Sequence, residues 1–227
     1  MLRGWNAVND FVGGRMPAAR ENVRKGSDKL SVRPLPVGGV KIREAFKTLL
    51  EEKEFNAITT AEISRKSGVN EALIYKYFGD KRGLLHQVLR DYLYEYLGQM
   101  ESELKGIEGT FNKLKKIVWS QINLYESKRV LAKILLLEVR NYPGYFESES
   151  YGQVQRFSRI ITEILKEGIK NGEIRNDIPV TSMRQVLLGG IEHLCLPKII
   201  YGKPYSAKEL TKELCMAVFA GIATRPS

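Results

Sequence analysis

Hydrophobic residues recur at helical spacing through most of the chain from Val40 onward. A longer stripe runs from Leu84 to Leu97, and further helices are predicted at about 110–126, 129–140, 148–171, 179–201 and 206–222. No stretch of useful length alternates polar and apolar residues as a strand would. The pattern therefore predicts an all-α fold. The first apolar stripe follows the i, i+3, i+4, i+7, i+8 rule and consists of Ile42, Ala45, Phe46, Leu49 and Leu50.

A pair of very short helices is predicted between Thr59 and Lys81. Thr59 and Thr60 are good N-cap residues for the first helix, which would cover residues 61–67. Gly68 then permits the backbone conformation that a tight turn requires.

The second short helix would run over Glu71–Phe78, after an Asn70 side chain that can cap it. Two short helices joined by a turn with glycine form a helix-turn-helix. Neither helix is long enough to be stable alone, so both must pack on the stripe that begins at Ile42. We expect the resulting three-helix domain to span residues 39–88.

The polar side of this motif is suited to duplex DNA. In a helix-turn-helix the second helix enters the major groove, with its first residues nearest the base edges. A glutamate could accept from cytosine N4, and an apolar side chain could touch a thymine methyl. The base-reading candidates are Asn70, Glu71, Ala72 and Leu73. The residues predicted near phosphates are Thr60, Tyr75, Lys76, Tyr77 and Lys81, of which Thr60 and Lys81 sit at helix N-termini.

Positive charge is concentrated in the first ninety residues, which favours a polyanionic partner. The net charge of the chain is +10. Residues 1–40 carry seven Lys/Arg against three Asp/Glu, residues 41–90 ten against seven, and residues 91–227 nineteen against sixteen. Residues 1–38 are rich in Gly and Pro, so they are predicted to form a disordered or weakly structured extension. Its arginines could lie along a phosphate backbone, or the segment could be inert.

The cysteines and histidines give little scope for metal or redox chemistry. Cys195 and Cys215 lie in separate helical patterns and are expected to be buried free thiols. The two histidines have no partners at ligand spacing, so neither a metal site nor a cofactor is expected. No run approaches the roughly 18 apolar residues of a membrane span, and no secretory signal opens the chain. We therefore expect a cytoplasmic protein.

Three function classes can be compared on this basis. An enzyme would need a nucleophile with a base, clustered carboxylates or a phosphate loop, and none occurs at a telling spacing, so no catalytic residue is assigned. An architectural DNA-binding protein without a ligand would not require about 130 further residues of apolar helix. A DNA-binding regulator with a second helical domain accounts for both parts of the chain.

The residues around the two short helices form a motif with defined spacing, which consists of Thr59-Thr60, Gly68-Val69-Asn70, the run Ile74–Phe78 and Lys81. This motif resembles the DNA-binding domain of TetR/AcrR-family regulators over about residues 41–88. Ile74 stands where that family has leucine, and Asn70 where serine is frequent. The resemblance implies a bacterial transcriptional repressor that binds a palindromic operator as a homodimer and is released by a small hydrophobic ligand.

By the same resemblance, residues 89–227 form a helical ligand-binding and dimerisation domain. Dimerisation also has a geometric reason, because two recognition helices must lie roughly 34 Å apart to meet successive major grooves. The stripes of the last two helices could form this interface or could be ordinary intramolecular core. The interface candidates are Val186, Leu187, Gly190, Ile191, Leu194, Leu210, Leu214, Ala217, Val218 and Gly221.

The ligand would lie among apolar and aromatic side chains between residues 92 and 165. Arg140 follows an apolar run and could hold an acidic or phosphorylated ligand, or could be a solvated surface residue. The stretches Leu136–Phe146 and Gly189–Leu194 resemble regulators that respond to fatty acyl-CoA, and a drug-like compound is the other candidate. The remaining pocket candidates, each of which could be plain core, are Trp119, Ile122, Tyr125, Leu135, Leu136, Phe157, Ile161 and Leu165.

Overall fold

A computed structural model describes residues 35–224. Over this range the fold is all-α, as the sequence predicts, with no regular strand. The prediction for residues 1–34 lies outside the described residues. The helices are α1 (Val37–Glu52), α2 (Thr60–Ser67), α3 (Ala72–Phe78), α4 (Lys81–Leu104), α5 (Thr110–Ser127), α6 (Arg129–Lys133), α7 (Glu149–Lys170), α8 (Val180–Tyr201) and α9 (Ala207–Ile222).

The first three helices and the start of α4 form a compact unit, residues 35–93, which we call the N-terminal unit. The predicted stripe of α1 is buried in its core, where Ile42 and Phe46 are fully covered. Ile63 of α2 and Ile74 of α3 are fully covered by the same core. These short helices are therefore stabilised by packing rather than by their own propensity.

Helix α1 begins at Val37, earlier than the predicted boundary between residues 38 and 39. The reason is packing against α3. A Cβ atom on Gly38 would lie 3.7 Å from the ring of Tyr77, and one on Gly39 would lie 2.4 Å from Leu35 Cδ2. A side chain at Gly38 would make ordinary van der Waals contacts, whereas one at Gly39 would collide with Leu35, so Gly39 is the residue that allows the close approach.

Helix α4 connects the N-terminal unit to the rest of the chain, residues 94–224, which we call the C-terminal domain. Asp80 caps α4 by accepting a hydrogen bond from the Gly83 N–H at 2.7 Å. Gly83 is required there, because a Cβ atom would lie 1.9 Å from the carbonyl oxygen of Phe78. The early leucines of α4 are buried in the N-terminal unit, and the late ones, from Leu97 to Leu104, in the C-terminal domain.

The predicted helix over residues 129–140 is not regular. Helix α6 widens into a π-helical turn at Ile134–Glu138, followed by 3₁₀ turns at Val139–Asn141 and Pro143–Glu147. We call residues 134–147 the irregular segment. The prediction was wrong in type because apolar spacing does not distinguish an α-helix from a π-turn of the same length. Such π-turns occur frequently at functional sites.

The two cysteines are buried free thiols, as predicted. Burial raises the pKa of both the Cys195 and the Cys215 thiol to about 11. Within residues 35–224, no helix combines the length and the apolar character that a bilayer span needs.

Candidate DNA-binding face and regulatory core

The turn between α2 and α3 has the geometry that the sequence predicts. Thr59 Oγ1 accepts a hydrogen bond from the Glu62 N–H at 3.1 Å and so caps α2. Gly68 ends α2 in the left-handed region, at φ 66°. Asn70 Oδ1 accepts from the Ala72 N–H at 2.8 Å at the start of α3. Each side chain satisfies a backbone group that would otherwise lack a partner at a helix end.

One face of α3 is exposed, and it carries residues predicted to meet DNA. Ala72, Tyr75 and Lys76 lie on this face at helical spacing, and Tyr75 is 52% exposed. Arg65 and Lys66 of α2 are exposed nearby along the chain, and Lys66 Nζ is 2.8 Å from Glu52. We call the exposed side of α2 and α3 the basic face.

Two other predicted contact residues are engaged in packing. Leu73 and Tyr77 are half-buried against the core of the N-terminal unit. Gly38 of α1 lies close to both side chains. Their apolar parts therefore hold α3 against α1. Only their exposed edges are available to a duplex, whereas Glu71 is half-exposed and Asn70 is exposed.

Lys81 has a structural contact that the sequence did not indicate. Its ammonium donates to the carbonyl oxygens of Ile58 at 2.6 Å and Phe55 at 3.1 Å, and it lies 4.4 Å from the centre of the Phe55 ring. Desolvation and the neighbouring Arg82 lower the pKa of Lys81. A role at phosphates stays a prediction, while this anchoring of the turn before α2 is directly visible.

Half of the predicted dimer interface belongs to the protomer's own core. Each of these side chains is at most 9% exposed, so none can also face a second copy in this arrangement. These core residues are Leu187, Ile191, Leu210, Leu214 and Val218, and a place for them in a dimer interface stays a prediction. Gly190 has the same intramolecular role, because a Cβ atom there would lie 2.7 Å from Leu214 Cδ1.

A different side of the last two helices is exposed and largely apolar. Val186 is 61% exposed, and Met216, which was not among the interface candidates, is 65% exposed. Leu194 is half-buried between the two sides of α8. We call this surface the outer face; it consists of Val186, Gly189, His193, Pro197 and Ile200 of α8 and Met216, Ala217, Ala220 and Gly221 of α9.

The pocket candidates separate into three locations. Trp119 lies on the surface, 39% exposed with Lys116 Nζ 4.8 Å from its ring centre, so it does not line an interior site. Leu135 packs into the core of the N-terminal unit, while Leu136, one residue later on the π-turn, points into the C-terminal core. The others lie in or against that C-terminal core, and they are Ile122, Tyr125, Phe157, Ile161 and Leu165.

Arg140 is paired rather than solvated. Its guanidinium forms two hydrogen bonds with Glu192 of α8, at 2.9 Å and 2.7 Å. Tyr125 and Tyr145 lie near enough to interact electrostatically with it. Burial is the main cause that raises the pKa of Tyr145 to about 12, and it raises that of Tyr125 as well. Both phenols therefore stay neutral at physiological pH.

Further polar side chains that the sequence analysis missed lie inside the C-terminal domain. Gln121 is 8% exposed; its Oε1 is 3.5 Å from the Tyr96 hydroxyl, and its side chain hydrogen-bonds to Tyr125. Tyr205 donates to the Ile122 carbonyl at 3.1 Å. The sequence offered one signal for such buried polar groups, namely a polar residue next to a buried apolar one, as with Gln121 beside Ile122 or Glu192 beside Ile191.

Polar contacts also join the irregular segment and α6 to the N-terminal unit. Asn56 donates to both oxygens of Glu138 at 3.1 Å, and Lys133 Nζ is 2.6 Å from Glu54. Tyr145 is 1% exposed in the core of the N-terminal unit. The part of the chain that holds Arg140 is thus packed directly on the unit that carries the basic face.

Two family models match the chain. Residues 42–88 match the model described as bacterial regulatory proteins, tetR family. Residues 89–221 match the model described as YsiA-like protein, C-terminal region. Together they cover nearly all of the residues that the structure describes.

Known proteins with similar sequences and folds agree with this match. The fatty acid metabolism regulator protein of Bacillus subtilis is 22% identical over 81% of this chain and 94% of its own length. The crystal structure of FadR from Bacillus subtilis in complex with stearoyl-CoA has a TM-score of 0.71, at 22% identity over 81% of this chain and 98% of that chain. A transcriptional regulator from Saccharomonospora viridis in complex with choline has a TM-score of 0.69, at 20% identity over 82% of this chain and 98% of that chain. The chain belongs to the TetR family of bacterial regulatory proteins, with a YsiA-like C-terminal region.

Proposed function

We propose that the protein is a cytoplasmic transcriptional repressor that binds a palindromic operator as a homodimer and is released by a small hydrophobic ligand. The observation that carries the proposal is the basic face on a capped helix-turn-helix, in a chain whose family consists of DNA-binding regulators. Tyr75 and Lys76 of this face would contact phosphates, while Asn70, Glu71 and Ala72 would read base edges.

The outer face is the proposed contact between two copies. It is apolar at Val186 and Met216 and has small residues at Gly189, Ala217 and Ala220, which allow helices of two protomers to approach closely. A dimer through this face would bring two basic faces together, as a palindromic site requires.

The C-terminal core is the proposed ligand site. Its long apolar side chains suit a fatty acyl chain, and one relative of similar fold was solved with stearoyl-CoA. We therefore favour an acyl-CoA as the effector over a compact polar ligand. The binding of such a ligand would change the spacing of the two recognition helices and so lower operator affinity.

A gel-shift assay with fragments of the source genome tests this function. The protein should retard a small set of fragments, and dodecanoyl-CoA should release them. Lys76→Ala should weaken all of these complexes, whereas Lys115→Ala, an exposed lysine on α5, should leave them unchanged. Failure to retard any fragment at low salt would rule out the proposed function.

A hydrodynamic measurement tests the dimer separately. Val186→Glu with Met216→Glu should convert the protein to a monomer, because each charge would be buried against the same surface of the partner. Tyr94→Glu is the matched control, since Tyr94 is 62% exposed on α4 and lies away from the outer face. A double variant that remains dimeric would show that copies associate elsewhere.

A further inference from the structure

The Arg140–Glu192 pair joins two elements that are distant in sequence. Arg140 lies in the irregular segment, and Glu192 lies in the middle of α8. Both guanidinium NH groups take part, at 2.9 Å and 2.7 Å, in a bidentate arrangement. The side chains remain 23% and 26% exposed, so the pair is partly desolvated but can still be reached from outside.

The chemistry of the pair favours exchange of one anion for another. Guanidinium and carboxylate groups each lose hydration when they are partly buried, and their attraction offsets this cost only in part. The planar fork of arginine binds a carboxylate or a phosphate equally well in this geometry. An external anion that brings its own apolar chain gains burial energy that Glu192 cannot supply.

The surroundings of the pair are suited to an amphipathic molecule. Tyr125 and Tyr145 lie close to Arg140 and keep neutral hydroxyl groups there. Tyr125 also belongs to the C-terminal core, together with the apolar Leu136 and Ile161. A ligand with its head at Arg140 would therefore reach the apolar C-terminal core past Tyr125.

We propose that Arg140 is the anchor for the anionic head of an amphipathic ligand, either a carboxylate or a phosphate, and that the ligand displaces Glu192 from it. This inference rests on one part of the proposed function, namely that the C-terminal core accepts the apolar part of the ligand. Glu192 occupies the anchor in this structure and competes with the ligand.

The position of Arg140 also explains how occupancy would reach the DNA. Ile134 and Val139 flank the anchor on the irregular segment, and both are buried in the core of the N-terminal unit. Release of Glu192 breaks the ion pair between this segment and α8. Helix α8 also carries part of the outer face. The anchor therefore lies between the surface that reads DNA and the surface proposed to join two copies.

Calorimetric titration of the full chain without DNA tests the anchor with four probes: dodecanoyl-CoA, dodecanoate, dodecanol and free CoA. We expect one or both of the anionic chain-bearing probes to bind at least tenfold more tightly than dodecanol and than free CoA. Preference for dodecanoate identifies a carboxylate ligand, and preference for dodecanoyl-CoA a phosphate-bearing one.

Three variants test the residues. Arg140→Gln should weaken the preferred anionic probe about tenfold or more and abolish its advantage over dodecanol, while Arg140→Lys should restore part of it. Glu192→Gln should tighten that probe several-fold, because the competing charge is gone. Glu163→Gln, an exposed glutamate of α7 that pairs with Lys166, is the matched control and should have no effect.

Equal binding of dodecanol and the anionic probes, unchanged affinity in folded Arg140→Gln, or weaker binding in Glu192→Gln would each overturn the anchor. Absence of binding by both anionic probes would overturn it as well. Circular dichroism establishes whether each variant is folded. If Arg140→Gln does not fold, the affinity of Arg140→Lys for the anionic probe tests the anchor instead. Because these titrations contain no DNA, an anchor that binds anions in a protein that retards no genomic fragment would refute the proposed function alone.

Discussion

The N-terminal unit and the C-terminal domain bury different kinds of side chains. Among residues 35–224, the buried polar residues all lie in the C-terminal domain, and they are Thr110, Ser120, Gln121, Ser150 and Thr211. The fully buried side chains of the N-terminal unit are apolar, and its polar side chains, such as Lys81, are half-buried or exposed. The N-terminal unit therefore exposes the polar side chains that could contact a partner, whereas the C-terminal domain encloses polar side chains that could contact a ligand.

The largest expected effect is in the apolar core of the N-terminal unit. Phe46→Ala should lower the free energy of unfolding by about 3–5 kcal/mol, because Phe46 is fully buried and packs edge-on against Phe55. Chemical denaturation measures the loss, and operator binding should disappear with it. A loss below about 1 kcal/mol would show that this core does not determine the stability of the unit.

An intermediate effect is expected for a buried polar group of the C-terminal domain. Thr110 Oγ1 donates to Glu173 at 2.8 Å, and the Thr110 N–H donates to the same carboxylate at 3.0 Å. Thr110→Val keeps the shape and removes the hydroxyl donor, so unfolding should become easier by about 1.5–3 kcal/mol. Thr48→Val, on an exposed threonine whose hydroxyl donates to the Glu44 carbonyl at 3.1 Å, should cost less. Equal losses would remove the distinction between interior and surface polar groups.

Substitutions of Lys81 and Lys76 should have different effects on stability and on DNA binding. Lys81→Met leaves the carbonyls of Phe55 and Ile58 without their donor, so the free energy of unfolding should fall by about 1–2 kcal/mol. Lys76→Met, on an exposed side chain, should leave stability within about 0.5 kcal/mol and lower the salt slope of DNA binding by about one.

The predicted phosphate role of Lys81 is tested in the same titration. A contact with phosphate would lower the salt slope of Lys81→Met by about one and weaken binding to all sequences alike. An unchanged slope with reduced stability would assign this lysine to the fold alone.

The smallest effect is expected at Trp119, despite its size. Trp119→Phe should change stability by no more than about 0.5 kcal/mol and leave ligand binding unaltered, because the ring is 39% exposed and a phenyl ring keeps most of its covered surface. Ile122→Ala, three residues later and fully buried, should cost about 2–5 kcal/mol. A ligand affinity that falls with Trp119→Phe would support the sequence-based prediction that Trp119 lines the binding site.

The difference between the two regions also explains how far the sequence could be interpreted. The helix-turn-helix was predictable to within one or two residues because its determinants are local. The Thr59 cap, the Gly68 turn and the Asn70 cap each act within three residues. Ile63 is the one large aliphatic residue of α2, and Ile74 shares a side of α3 with Phe78, so both isoleucines face the core.

In the C-terminal domain the predicted helices are correct except over the irregular segment, but the sequence did not show what each helix face packs against. Leu187 is 1% exposed and its neighbour Val186 is 61% exposed, yet both are apolar residues of one helix. Hydrophobicity alone cannot tell a surface that packs within the protomer from one that meets another molecule. The Arg140–Glu192 pair was equally hidden, since 52 residues separate two side chains that only the tertiary fold brings together.

Helix α4 runs without interruption through both cores. Its 24 residues correspond to a rod roughly 36 Å long, stiffened by an unbroken ladder of backbone hydrogen bonds. A rod of this kind neither stretches nor shortens when one end is pushed. A tilt of α4 near Leu104 would therefore also reorient its start at Asp80, and with it the N-terminal unit that carries the basic face.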